Sequence, residues 1–113
     1  MIQVCNLIIH LLLKYRSKEN SAHPTSGLAT VNLDKTKLNF SAFKTDAAPN
    51  LDIYLVSNLN NISADFKNLG DIKGVNGNYS YDIPANTNLT TYKYVVVWCV
   101  DFKVNFGYAL LAP

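Results

Sequence analysis

The sequence predicts an all-β domain, an antiparallel β-sandwich or flattened barrel, and three observations carry the prediction. Apolar residues recur at every second position in several short runs, the period of a strand with one face in a core. Val, Ile, Tyr, Phe and Thr, which suit a pleated and half-buried surface, crowd those runs. Gly, Pro and Asn divide the runs at the short intervals typical of sandwiches and barrels. With 113 residues the chain suffices for one core, which buries about two-thirds of the surface the unfolded chain exposes, and leaves no room for a second domain.

The first biased stretch is Met1 to Tyr15, "MIQVCNLIIHLLLKY". Asn6 and His10 interrupt it, so it is too short an apolar run to span a bilayer, and no transmembrane segment is predicted. Lys14 and Arg16 follow the apolar residues instead of preceding them, and no small-x-small site follows, so the export signal is incomplete. Residues 1–22 therefore read as an atypical leader: a truncated export signal, a misplaced start, or an unusual first strand or helix. Residues 23–113 read as the β domain.

Gly27 opens the first clear strand, in which Ala29, Val31 and Leu33 share one face. "DKTK" is a turn, and "KLNFSAFKT" follows with Leu38 and Phe40 inward. Pro49 breaks that run because it fixes its own φ and donates no ladder hydrogen bond. In "LDIYLVS", Leu51, Ile53 and Leu55 alternate with Asp52, Tyr54 and Val56, which predicts a wet second face. "NLNNISADFKN" lacks periodicity and reads as a connection with room for a helical turn. "LGDIKGVNGNYSYDIP" reads as a hairpin around Asn76-Gly77, a pair that accepts positive φ. In "YKYVVVWCV", Tyr92, Tyr94, Val96 and Trp98 fall on one face and Lys93, Val95, Val97 and Cys99 on the other. Both faces are apolar, as in a central strand covered on two sides. After a turn at Asp101 to Lys103, "NFGYALLAP" makes the last strand, with Gly107 permitting a close backbone approach.

A formal net charge of +2, with lysines and aspartates interleaved along the chain, predicts a mixed solvated surface and no nucleic-acid partner. A monomer is expected. Four Asn-x-Ser/Thr matches, beginning at Asn39, Asn61, Asn78 and Asn88, read as chance in so Asn-rich a chain; its Lys, Asn and Ile content suggests an AT-rich bacterial genome. Nucleophilic catalysis needs a base, and the only imidazoles are His10 in the leader and His23 in a loop. No G-x-S-x-G, H-E-x-x-H, P-loop or G-x-G-x-x-G is present. Covalent haem attachment lacks its C-x-x-C-H, and blue copper lacks its ligands, so no metal residue is assigned. The chain reads as a redox or binding module more than a self-sufficient enzyme.

Cys99 is the cysteine that needs an account. By residue chemistry it is a small buried hydrophobe, half of a disulfide with Cys5, a ligand, or a redox thiol. The packed reading comes first on chemistry alone, because free cysteine is among the most buried residue types.

From His23 onward, Phe43, Pro49-Asn50-Leu51 with Tyr54-Leu55, Leu69-Gly70, Tyr81 with Ile83-Pro84, and Trp98-Cys99 followed by Phe102, Phe106-Gly107 and Ala109 form a connected pattern. It closely resembles the electron-transfer DM-thirteen domain, a small extracytoplasmic module found beside DOMON domains in animal proteins and in many bacterial secreted proteins. The resemblance implies a β-sandwich-like redox module outside the cytoplasm: periplasmic, cell-surface or secreted. It implies Cys99 as redox thiol or prosthetic-group ligand, haem being the group proposed for the family, with Trp98, Phe102 and Phe106 as cofactor surroundings and an unidentified redox partner. The alternative is a non-catalytic binding or adhesion module with Cys99 only packed. Two departures stand out: Ala48-Pro49-Asn50 replaces the usual Gly-Pro-Asp, and no Gly-x-Phe strand precedes His23-Pro24.

Overall fold

The computed structural model describes residues 6–12 and 25–111. Among them are the strands β1 (Asn6–Leu12), β2 (Ser26–Asn32), β3 (Lys37–Lys44), β4 (Leu51–Val56), β5 (Phe66–Asp71), β6 (Asn76–Asp82), β7 (Tyr94–Cys99) and β8 (Val104–Leu110). They form two sheets, I in the order β1-β2-β3-β6 and II in the order β5-β4-β7-β8. Every pairing is antiparallel. β1 lies beside β8 and β5 beside β6, yet among the described residues no hydrogen-bonded ladder joins the sheets, so the arrangement is that of a sandwich and not of a closed barrel.

Alternation builds the main core. Ala29, Val31, Leu38, Phe40, Phe43 and Tyr81 of sheet I face Leu51, Ile53, Leu55, Val95, Val97, Phe106 and Ala109 of sheet II. Phe40 stacks on Phe43 at 4.8 Å and meets Tyr81 edge-on at 5.5 Å. The buried Tyr81 hydroxyl finds a partner: it accepts the Lys73 N–H at 2.8 Å. Gly107 permits the expected close approach: a Cβ there would sit 2.5 Å from the Thr25 Cβ. The Thr25 hydroxyl donates to the Phe106 carbonyl, tying the two sheets together.

Four sequence expectations give way. Leu33 is 57 % exposed, because β2 ends at Asn32, whose side-chain oxygen accepts the N–H groups of Thr36 and Lys37 and turns the chain. The predicted hairpin around Asn76-Gly77 does not form: β5 pairs with β4 and β6 with β3, so residues 72–75 cross from one sheet to the other. Gly77 instead lies within β6 opposite Phe43, while the Tyr79 hydroxyl bridges back to the Asn76 backbone. The connection before it is shorter than predicted, since Phe66 already opens β5. The predicted wet face of β4 is dry: Asp52, Tyr54 and Val56 are all buried. A 3-10 turn at Ile62–Ala64 lays Ile62 over that face, and Leu59 packs beside it.

Within residues 1–22, set apart by the sequence, Asn6–Leu12 pairs with β2 as the edge of sheet I, Leu7 opposite Val31 and Leu12 opposite Leu28. Cys5 and His23 lie outside the described residues, and with them the Cys5–Cys99 bridge. No helix among the described residues is long and apolar enough to cross a membrane.

Candidate functional site at the end of β7

Side chains of a strand alternate, so Trp98 and Cys99, adjacent in sequence, enter different environments. Cys99 points into the main core and is fully buried. Its register partners are Leu51 on β4 and Val104 on β8. The thiol reaches the Pro49 carbonyl at 3.6 Å, a weak hydrogen bond.

Strand β7 stops at Cys99, and two turns close over its end. The Val100 N–H donates to the Asn50 carbonyl at 3.0 Å, and the Lys103 N–H to the Cys99 carbonyl at 2.8 Å. Asn50 and Lys103 adopt left-handed backbone angles, φ 54° and 55°, a conformation asparagine tolerates better than most residues. On a regular strand Asp101 would share the face of Cys99; here the turn carries it to the surface, where its carboxylate accepts the Asn50 amide at 2.8 Å. Asn50 thus supplies a donor to Asp101 that an aspartate at this position would lack.

The residues expected around Cys99 separate. Phe106 shares its core. Trp98 lies on the outer face of sheet II with Tyr54, Val56, Ile62 and Val96, bordered by Tyr94 and Tyr108. Phe102, at the tip of the turn after β7, is 65 % exposed. Residues distant in sequence make up the company of Trp98. The Tyr54 ring lies 6.3 Å from Trp98 and stacks on Phe66 at 4.2 Å, with 8° between the latter planes. Asp52 stands directly across the ladder from Trp98 and, on its other side, from Asp71. Burial, and after it the Asp71 carboxylate, pushes the Asp52 carboxyl above its ordinary value; the Asn68 amide, donating at 3.4 Å, pulls the other way. Burial and the Asp52 charge together push the Tyr54 hydroxyl up. The signal available for this cluster was the unbroken apolar run of β7, which demanded a cover on its second face.

Comparison with known proteins supplies the family. The model of the electron transfer DM13 family matches residues 17–111. The chain belongs to that family. No curated protein and no solved structure matches it. In this DM13 domain the match takes in β2 through β8 and the end of β7 where Cys99 lies.

A haem held by Cys99 requires an open face at the sulfur. The Cys99 thiol is fully enclosed and points at a backbone carbonyl. No group of three or more His, Cys, Asp or Glu side chains suited to a metal ion occurs among the described residues. As packed, these side chains do not fit a haem. The groove lined by Asn39, Ser41, Asn78 and Ser80 lies on the outer face of sheet I, and Cys99 takes no part in it.

Proposed function

We propose that this DM13 domain is an extracytoplasmic electron-transfer module whose redox group is the Cys99 thiol. The observation that carries the reading is the placement of that thiol at the last residue of a central strand, under two hydrogen-bonded turns instead of deep between continuous strands. The reading requires the turns at Pro49-Asn50 and residues 100–103 to open and admit an acceptor to the thiol, a local event short of global unfolding. In the transfer, the S–H group gives one electron to an acceptor on a redox partner and its proton to water; the reverse step restores the thiol. The extracytoplasmic placement rests on the resemblance to modules of exported proteins.

The complete burial of Cys99 favours a second reading, a binding module with the cysteine only packed. Thiol alkylation separates the two. The redox reading expects slow labelling of the native protein, accelerated about fivefold by Asp101→Ala, as loss of one hydrogen bond worth about 1 kcal/mol requires. Labelling only at the rate of global unfolding, with Asp101→Ala unchanged in that respect, leaves the binding module in its place.

A further inference from the structure

A fully buried thiol cannot meet a redox partner while the turns are closed, so electrons must pass through side chains to reach it. The outer face of sheet II offers a route. Trp98 is joined to Cys99 by one peptide unit, its ring is 6.3 Å from Tyr54, and Tyr54 stacks at 4.2 Å on Phe66, which is 37 % exposed at the edge strand β5. Electron tunnelling weakens steeply with distance, and indole and phenol are the two ring types in proteins that one-electron oxidants oxidise most readily. Packing does not require that the oxidisable rings be Trp98 and Tyr54, nor that the row end in a ring at the surface. Asp52, buried and in register with Trp98, adds a charge of the sign that favours a positive hole on the indole, and low solvent exposure strengthens that effect.

We infer that Trp98 and Tyr54 form a one-electron relay linking the Cys99 end of β7 to the surface at Phe66. The inference rests on the electron-transfer reading above. In the outward step a one-electron oxidant on the partner takes an electron from Tyr54, whose hydroxyl proton goes to water. The resulting phenoxyl recovers an electron from Trp98 and a proton from water, and the Trp98 radical cation so formed takes an electron from the Cys99 S–H group, whose proton goes to water. Starting from an oxidised Trp98, the same pair works in reverse: the indole radical cation takes an electron from Tyr54 and returns to neutral indole, while Tyr54 loses its hydroxyl proton to water.

Trp98 is the only tryptophan in the chain, so its radical has a spectrum of its own. The test uses flash oxidation by a photo-excited ruthenium polypyridyl complex with a sacrificial electron acceptor, followed by transient absorption. In wild type the tryptophanyl signal should decay as a tyrosyl signal rises. Tyr54→Phe, which keeps the ring stack, should lengthen the tryptophanyl lifetime at least about tenfold. Tyr94→Phe and Tyr108→Phe, the other tyrosines bordering Trp98, should leave it unchanged, with circular dichroism confirming the fold of each variant. Equal lifetimes in wild type and Tyr54→Phe, or a lengthening that follows Tyr108→Phe instead, overturn the relay. Cys99→Ser reads the earlier proposal separately. A longer-lived tyrosyl radical in that variant shows that electrons arrive from the thiol; an unchanged one, with Trp98-to-Tyr54 transfer intact, sinks the Cys99 reading and leaves the relay standing.

Discussion

The outer faces of the two sheets are built on opposite plans. On sheet I, Ser41, Asn78 and Ser80 stand in solvent, and Asn39 is bonded to the Ser80 hydroxyl. On sheet II the equivalent face is a second apolar cluster in which Tyr54, Val56, Val96 and Trp98 lie beneath Ile62. The difference is already present in the strands: β3 and β6 alternate apolar with polar residues, whereas β7 is apolar at every position from Val95 to Cys99. A strand of the second kind is stable only if something covers its other face. Here the cover is the segment between β4 and β5, folded back by one 3-10 turn. The face that became a solvated surface on sheet I became, on sheet II, a dry site for aromatic rings beside a carboxylate.

The largest effects should come from placing a charge on each face in turn. Val97 lies in the main core and Val96 in the outer cluster, both fully buried. Val97→Asp should unfold the domain, and Val96→Asp should cost nearly as much, about 4 kcal/mol or more, because each leaves an unpaired charge in apolar surroundings. Ser80→Asp, exposed on sheet I, should stay within about 0.5 kcal/mol of wild type. Urea melts of the three variants check the comparison. A Val96→Asp melt close to wild type would show that the outer cluster of sheet II is loosely held.

A smaller effect is expected where the two sheets touch. Gly107→Ala puts a methyl group 2.5 Å from the Thr25 Cβ and 2.6 Å from its Cγ2, and Thr25 is itself held by hydrogen bonds to the Phe106 carbonyl and the Thr45 hydroxyl. Overpacking of this kind costs about 1–3 kcal/mol. A thermal melt shifted by less than the error of replicate scans would mean that β8 slides away from Thr25 freely, and that the sheets are less firmly joined than their hydrogen bonds suggest.

How much of this was legible in the sequence depended on the range of the interaction. Alternation in β3, and the all-apolar run of β7, fixed those strands and their core residues, because a strand pattern is a local record of what each face touches. The termination after Cys99 was legible as a turn at Asp101 to Lys103, but the Asn50–Asp101 bond that holds it joins residues far apart in sequence. The partner of β6 was misread for the same reason. Asn76-Gly77 is a sound local turn signal, yet the choice between pairing with β5 and pairing with β3 is settled by burial of Tyr81 and Phe40 against one another. Cys99 and Phe106 were legible as core; the row Trp98–Tyr54–Phe66 was not, since β5 carries no clean alternation and Asp52 makes β4 look half wet. A buried aspartate is a poor guide to which face is solvated.

That aspartate gives the finest test of the contrast between the sheets. Asp52 is 9 % exposed on the covered face of sheet II, and its carboxyl is raised above the ordinary aspartate value, first by burial and then by Asp71. A carboxyl raised in the folded state binds its proton more tightly there than in the unfolded chain. Its contribution to stability is therefore fully present below the unfolded value and is lost as pH rises through the folded one. At neutral pH the ionised side chain weakens the fold, so Asp52→Asn, which keeps the shape and an oxygen for the Asn68 amide, should be more stable than wild type there, by less than the Gly107→Ala clash costs. The advantage should shrink as pH falls toward 4 and vanish below it, where both proteins carry a neutral group. Asp82 on sheet I has the opposite sign: Lys37 holds its carboxyl below the ordinary value at the open surface, so Asp82→Asn should bring no gain at neutral pH. Urea midpoints of the three proteins measured from pH 4 to pH 7 decide the matter. If Asp52→Asn and Asp82→Asn track wild type equally across that range, the outer face of sheet II is as wet as that of sheet I, and the dry cover over Trp98 and Tyr54 does not hold in solution.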